Sequence, residues 1–243
     1  MGSVVIIVPC YNEAHRFQAE RFKAFAPRFP VRFLFVNDGS KDDTLRILEE
    51  LRQSDPGRFA IHNVPKNVGK AEAVRAGILA GVGANTDYAG YWDADLATPL
   101  DALNDFYDIL ESRADIELVM GSRVRLLGRS IERSPIRHYL GRVFATAASL
   151  CLGLSVYDTQ CGAKLMRAGY AKTLFEEPFL TRWLFDIEII ARMIRHRGIA
   201  SAAQGIFEFP LFEWKDVAGS KVRPQEFFKA FVQLARIYRH YLK

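Results

Sequence analysis

Paired cysteines, long apolar runs and glycine-rich nucleotide loops are all missing from this sequence. Its three cysteines, Cys10, Cys151 and Cys161, form no spaced pair and match no metal-ligand pattern. An odd number of them, with no leader expected, points to a reducing compartment. The longest apolar stretch, residues 143–156, is too short to span a bilayer, and Thr146, Ser149, Gly153 and Ser155 dilute it. The first strand is expected to begin by about Val4, so no export signal or N-terminal anchor is expected. A cytoplasmic protein is expected, or one held peripherally on the cytoplasmic face of a membrane. There is no Gly-x₄-Gly-Lys-Ser/Thr, and Gly81-Val-Gly83 closes a helical stretch, where it reads as a helix stop. The five histidines show no His-Glu-x-x-His spacing, so a zinc site is not expected.

What is present is ordinary for a globular chain of 243 residues: 49% hydrophobic and 25% charged, with no repeat and no linker. One domain over residues 1–243 is expected, with halves at 1–122 and 123–243 sharing a core. Charge is unevenly placed. Residues 123–142 and residues 221–243 are each net +5, against +5 for the whole chain, so the remainder is net negative. That asymmetry favours an anionic partner near the second half: phosphate, nucleic acid or an acidic membrane surface.

Branched runs at Val4–Val8 and Val31–Val36 read as strands buried on both faces. Further strands are expected at Phe59–Val64, Tyr88–Trp92, Leu118–Met120 and Gln204–Phe212. Helices fall between them, to about Phe25, from Asp42 or Asp43 to Gln53, over Ala71–Ala80 and from Pro99 to Ser112. Strand–helix alternation predicts an α/β protein: a mostly parallel central sheet with helices on both faces. Ligands of such sheets bind at the carboxyl ends of the strands, where the polar clusters after strands one, two and four lie. The second half adds an apolar helix over about Ile136–Leu154 and another opening near Arg182, with a polar loop at Trp214–Lys221. A C-terminal stripe of Phe227, Phe228, Phe231, Leu234, Ala235, Tyr238 and Leu242 reads as core or subunit contact. With Lys229, Arg236, Arg239 and Lys243 beside it, a membrane-surface helix is the alternative.

The fourth strand ends in Asp93-Ala-Asp95. Alternation turns two carboxylates one residue apart to the same side. Hard oxygen ligands at a strand end suit Mg²⁺ or Mn²⁺ holding a diphosphate; a pair of solvated loop acids is the plain alternative.

Taken together, Val8-Pro-Cys-Tyr-Asn-Glu13, Val36-Asn-Asp-Gly-Ser40, Asn67-Val-Gly-Lys70 and Asp93-Ala-Asp95 resemble a family 2 glycosyltransferase of the GT-A fold. Gly121-Ser-Arg123, Asp158-Thr-Gln-Cys-Gly-Ala-Lys164, Arg182-Trp-Leu-Phe-Asp-Ile-Glu188 and Gly219-Ser-Lys221 are similar to the polyprenyl-phosphate sugar transferases, the dolichyl-phosphate glucosyltransferase branch above all. The resemblance implies that Pro9, Tyr11 and Glu13 line a base and ribose pocket, with Asp38 bonding to the base and Lys70 close to the nucleotide. It implies Asp93 on ribose or sugar, Asp95 as principal metal ligand and Arg123 on phosphate. Gln160, Cys161 and Gly162 would shape the sugar pocket, Trp183 and Asp186 the reacting centre, and Lys221 a phosphate clamp. The plain readings remain: a turn and helix cap at Asn37–Ser40, core packing for Trp183, a helix N-terminus for Asp186. One departure stands out. Related mannosyl transferases carry a Gln metal ligand where this chain has Ala97, which leaves more of the coordination to water and diphosphate.

The implied reaction moves a hexose, glucose first, from a nucleotide sugar to a polyprenyl phosphate with inversion; a UDP-hexose is favoured over GDP-mannose. A phosphate acceptor is largely deprotonated near neutral pH, with a second pKa of about 6, and needs cations rather than a base. A saccharide hydroxyl acceptor is the rival, and it would make Asp186 the base. A nucleotidyltransferase should carry a basic glycine-rich loop after strand one, absent here. A non-catalytic nucleotide-sugar or nucleic-acid binding module is the rival of another class. Nucleic acid is not the expected partner, since the basic segments lack interleaved stacking residues.

Overall fold

The computed structural model describes residues 1–132, 135–217 and 224–243, with side chains for all of these except 135–138 and 224–228. The branched runs form central strands. In β1 (Val4–Cys10) and β2 (Val31–Asp38) alternate residues enter opposite layers. Val4, Ile6, Val8, Phe33 and Phe35 pack into one core cluster, while Val5, Ile7, Leu34 and Val36 pack into another. A strand covered on both faces needs apolar residues at every position, which is why these runs lack polar alternation.

Among the described residues, β1, β2, β3 (Phe59–Val64), β4 (Tyr88–Trp92), β5 (Leu118–Ser122), β7 (Ala163–Arg167) and β8 (Ile206–Pro210) form one sheet. Its order is β3-β2-β1-β4-β7-β5-β8. Every pairing is parallel except the two made by β7, which runs antiparallel to β4 and β5. On one face lie α1 (Ala19–Ala24), α2 (Thr44–Ser54) and α4 (Ala102–Ser112); on the other lie α3 (Lys70–Gly81), α6 (Ala168–Phe175) and α7 (Phe185–Arg197). Between β5 and β7 come β6 (Ser130–Glu132) and α5 (Pro135–Leu152). β6 pairs with β9 (Glu213–Lys215) in a small parallel ribbon. Ile131, Leu211 and Trp214 join the cluster that holds β1 and β4, so residues of both halves pack together.

The α/β class and the mostly parallel sheet are as the sequence predicts. Strand β7 is not anticipated: Ala-Lys-Leu-Met-Arg has no branched run, and its place depends on neighbours distant in the chain. The late strand starts at Ile206, because residues 199–205 form α8 (Ile199–Gly205). Within the expected polar loop at 214–221, Trp214 and Lys215 belong to β9. Helix α9 (Pro224–Ile237) and the π-helical turn Tyr238–Leu242 bury Ala230, Leu234, Ile237 and Tyr241 against α5 and α7. Of the C-terminal stripe itself, Leu234 is buried and Phe231 and Leu242 pack against this cluster, while Ala235 and Tyr238 are exposed and the side chains of Phe227 and Phe228 lie outside those described. Helix α5 shows more apolar surface, at Tyr139, Leu140, Val143 and Leu150. Among the described residues, no helix is long and apolar enough to cross a membrane.

Candidate active site

Parallel strands deliver their carboxyl ends to one edge of the sheet, and β7, running the other way, delivers the loop that precedes it to the same edge. The register Trp92↔Ala163 sets the loop at 157–162 beside the end of β4. This one antiparallel strand brings the two distant motifs, Asp93-Ala-Asp95 and Asp158–Lys164, together.

At the end of β2, Asp38 is almost fully buried. Its carboxylate accepts the Val68 amide at 2.7 Å, the Gly69 amide at 2.9 Å and the Asn67 side-chain amide at 2.9 Å. Gly39 follows at φ +63°, with its Cα side against the backbone of Lys66 and Asn67, where a side chain does not fit. The role expected of Asp38 was a bond to the donor base. In the structure its carboxylate fixes the loop that opens α3, and so positions Lys70.

Past β4 the chain turns sharply. Asp93 donates its amide to the Gly162 carbonyl at 2.9 Å, and Asp95 accepts the Ala97 amide at 3.2 Å. Trp92 Nε1 donates to Thr98 O at 2.8 Å, and Thr98 lies 3.7 Å from Cys161 Sγ. Leu96 has a left-handed backbone, φ 51°, as does Asn12 in the turn after β1. These are the non-glycine residues with positive φ among those described, and both flank this cleft. Strain of this kind persists where surrounding contacts over-determine the turn.

Cations already attend the carboxylates. Lys70 Nζ lies 2.5 Å from Asp93 Oδ1. Burial works against the Lys70 charge, yet Asp93 and Asp186 outweigh it and hold the ammonium above its ordinary value. Arg16 forks onto Glu13, with Nη2 2.6 Å from Oε1 and Nε on Oε2, and its Nη1 reaches Asp95 Oδ2 at 3.5 Å. Burial and the neighbouring Asp93 charge push the Asp95 carboxyl above the usual carboxylate range, against the pull of the Ala97 amide, Arg16 and Lys70.

The loop at 157–162 is tied down from below. Lys164 is wholly buried, and its Nζ donates to Thr159 O at 3.1 Å, Cys161 O at 2.8 Å and Asp186 Oδ1 at 2.5 Å. Tyr91 donates its hydroxyl to the same Asp186 oxygen. A Cβ on residue 162 would fall inside the Asp93 carboxylate, so only glycine lets the loop close over it. On the far side Arg123 binds Asp158 through both forks, at 2.6 and 2.8 Å, and lies over the Trp214 ring. Burial opposes the Arg123 charge, and Asp158 more than compensates. Beyond this pair a cleft of about 30 Å³ is lined by Arg123, Arg142, Phe144, Tyr157 and Gln160 among others.

The expected residues thus fall into groups. Asp93, Asp95 and Lys70 meet at one point, with Glu13 joined to them through Arg16. Pro9 and Tyr11 lie half-buried at the end of β1. Gln160 faces the arginine-lined cleft. Asp186, expected at the reacting centre, lies 4% exposed beneath the loop, engaged by Lys164 and Tyr91. Trp183 packs against the cluster of α5, α7 and α9. Lys221 lies outside the described residues, as do Arg133 and the Arg137 side chain. The sequence reading missed Arg16, Lys164 and Tyr91. Arg16 had a signal, three residues after Glu13 in a tight turn, whereas Lys164 and Tyr91 are legible only through tertiary contacts.

As a cation site, the residues fit in kind. Mg²⁺ and Mn²⁺ accept one or two protein carboxylates and complete their shell with phosphate and water. Among the described residues no group of three or more His, Cys, Asp or Glu could hold a metal by itself. Asp93 and Asp95 would hold it only with help from a ligand.

The model of the family described as glycosyl transferase family 2 matches residues 5–175. The chain belongs to glycosyl transferase family 2: it is a glycosyltransferase with the GT-A fold. It is 32% identical to a dolichyl-phosphate beta-glucosyltransferase of Trichomonas vaginalis, over 95% of this chain and 69% of the relative. It is 29% identical to the human dolichyl-phosphate beta-glucosyltransferase, over 95% of this chain and 72% of that one. Among solved structures, glucosyl-3-phosphoglycerate synthase of Mycobacterium tuberculosis in complex with Mn²⁺, UDP-glucose and phosphoglyceric acid superposes with a TM-score of 0.68. It covers 97% of this chain and 78% of that one at 17% identity, a likeness of fold.

Proposed function

We propose that the protein transfers glucose from a nucleoside diphosphate sugar, UDP-glucose in first place, to a polyprenyl phosphate of the dolichyl type, inverting the anomeric centre. The relatives similar over nearly the whole chain are named for glucose transfer to dolichyl phosphate. The observation that carries the reading is the juxtaposition of Asp93, Asp95 and Lys70 with an arginine-lined cleft across the loop at 157–162.

Pro9, Tyr11 and Glu13 would take the base and ribose, and Lys70 would meet the diphosphate. Asp95, with Asp93, would hold Mg²⁺ or Mn²⁺. When bound, the cation supplies charge stabilisation at the departing diphosphate. Gln160, Cys161 and Gly162 would shape the sugar's pocket. Arg123, already locked to Asp158, stiffens the floor of the acceptor cleft, and Arg142 lends it further positive charge. Lys221 would clamp a phosphate. A phosphate acceptor needs no base, and this agrees with the burial of Asp186 behind Lys164 and Tyr91. A saccharide hydroxyl would need a carboxylate within reach of its proton. The exposed apolar residues of α5 would lie toward the lipid at a membrane surface, and the two halves would act as one domain.

The test is a donor screen with Mn²⁺ or Mg²⁺: UDP-glucose, UDP-galactose, UDP-N-acetylglucosamine and GDP-mannose, each with and without a short polyprenyl phosphate. Release of UDP from UDP-glucose that requires the lipid phosphate and vanishes in Asp95→Ala is the expected result. Donor binding with no lipid-dependent turnover would overturn the assignment of the acceptor.

A further inference from the structure

Arg16 holds an unusual position for a residue outside any nucleotide fingerprint. It belongs to the turn after β1, where its amide donates to Glu13 O at 2.9 Å. Its side chain crosses to the end of β4 and touches Asp95, the expected metal ligand. One guanidinium therefore joins the strand end that would bind a nucleoside to the strand end that would bind a cation. The three side chains are well enclosed, at 25% exposed for Arg16, 7% for Glu13 and 20% for Asp95. Lys70, at the start of α3, pairs with Asp93.

The local charges nearly cancel: Glu13, Asp93 and Asp95 face Arg16 and Lys70, a net of one negative charge. A divalent cation approaching alone meets two resident cations in contact with its ligands. A nucleoside diphosphate changes the balance. It is a polyanion, and a planar guanidinium binds phosphate oxygens in the same forked geometry that it offers a carboxylate. Lysine, a point charge, offers no fork.

We propose that Arg16 makes metal binding conditional on the nucleotide. In the free protein its guanidinium rests on Asp95 and Glu13; the arriving diphosphate draws it away and leaves Asp95 for the cation. This rests on the reading of Asp95 as a metal ligand for a nucleoside diphosphate, and it assigns to Arg16 the order in which the two ligands enter. Arg16 is here a positioning residue, acting on the transfer through Asp95.

The experiment is Mn²⁺ binding, followed by electron paramagnetic resonance of free Mn²⁺, with and without UDP, for the wild type, Arg16→Gln and Arg16→Lys. The wild type should bind Mn²⁺ weakly alone and much more tightly with UDP. Arg16→Gln, which keeps a hydrogen-bonding side chain but not the charge, should bind Mn²⁺ alone about tenfold more tightly, as loss of a nearby positive charge demands. Its gain on adding UDP should shrink. Arg16→Lys keeps the charge and should bind Mn²⁺ alone as the wild type does, which a purely structural role would not produce. Equal Mn²⁺ affinity without UDP in wild type and Arg16→Gln, each showing the same UDP gain, would overturn the role of Arg16 and leave the site standing. No Mn²⁺ binding by the wild type even with UDP would overturn the site reading as well.

Discussion

Two sets of ion pairs in this molecule differ in exposure rather than in chemistry. Lys164–Asp186 and Arg192–Glu188 lie in the interior, at 0%/5% and 5%/0% side-chain exposure. Lys70–Asp93 and Arg16–Asp95 lie at the mouth of the cleft, at 31%/37% and 25%/20%. In the interior every group has further partners. Glu188 accepts the Leu180 and Thr181 amides and the Tyr241 hydroxyl, and Arg192 donates to the carbonyls of Leu174, Glu177 and Pro178. Desolvation there makes exchange of partners expensive, so the pairs act as fixed braces. At the mouth, water lowers the cost of exchange, and a ligand of the right charge can replace either partner. Burial divides scaffold from machinery along a row of like residues: Lys164 and Asp186 behind, Lys70 and Asp93 in front.

The largest effect should come from breaking an interior brace. Lys164→Met leaves Asp186 charged and buried with the Tyr91 hydroxyl as its remaining side-chain hydrogen-bond donor, which should cost about 3–5 kcal/mol in urea unfolding. The double variant Lys164→Met/Asp186→Leu should recover much of that loss. If the single variant unfolds like the wild type, the interior pair is no brace. A mouth residue should behave in the opposite way. Asp95→Ala should unfold at the same urea midpoint or later, yet lose about 10²–10³-fold in lipid-dependent UDP release, the usual effect of removing one stabiliser of developing charge.

That contrast was half legible from the sequence. Asp93-Ala-Asp95 announces itself because both acids lie within three residues at the end of an apolar run. The branched runs of β1 and β2 give away the sheet for the same reason: the signal is local. Nothing local marks Lys164, whose partner is 22 residues on and whose strand is defined by β4 and β5 at its sides. The same holds for Asp38, which reads as a polar turn residue until the Val68 and Gly69 amides are seen to converge on it.

A smaller effect should separate the braces from each other. Burial and the Glu188 carboxylate push the Tyr241 hydroxyl up to about 12, so at neutral pH it is a donor. Tyr241→Phe removes that donor from Glu188 and should cost about 1 kcal/mol in urea unfolding, with turnover unchanged. A loss of turnover without a loss of stability would show that the C-terminal turn reaches the cleft.

The smallest expected effect is a pH dependence at the mouth. The Asp95 carboxyl is held above its ordinary range by burial and Asp93. Between the unfolded value, about 3.9, and the raised folded value, the native state therefore binds more protons than the unfolded one. Stability from this group must fall as pH rises through that window, and Asp95→Asn should remove the fall. Melting temperatures of the two proteins, taken from acid to neutral pH, should diverge with Asp95→Asn the higher at neutral pH. Parallel curves would mean that Asp95 is not strained by its neighbours.

The division between brace and working group is tested most directly at Asp186, which lies where the two rows meet. The measurement is lipid-dependent UDP release by Asp186→Asn beside Asp95→Ala across pH, with circular dichroism to establish that each is folded. The expected result is a folded Asp186→Asn protein within about tenfold of wild-type turnover and with the same pH profile, well above the 10²–10³-fold loss expected of Asp95→Ala. A folded Asp186→Asn protein as inactive as Asp95→Ala, with the acid limb of its profile gone, would make Asp186 a base and contradict the account.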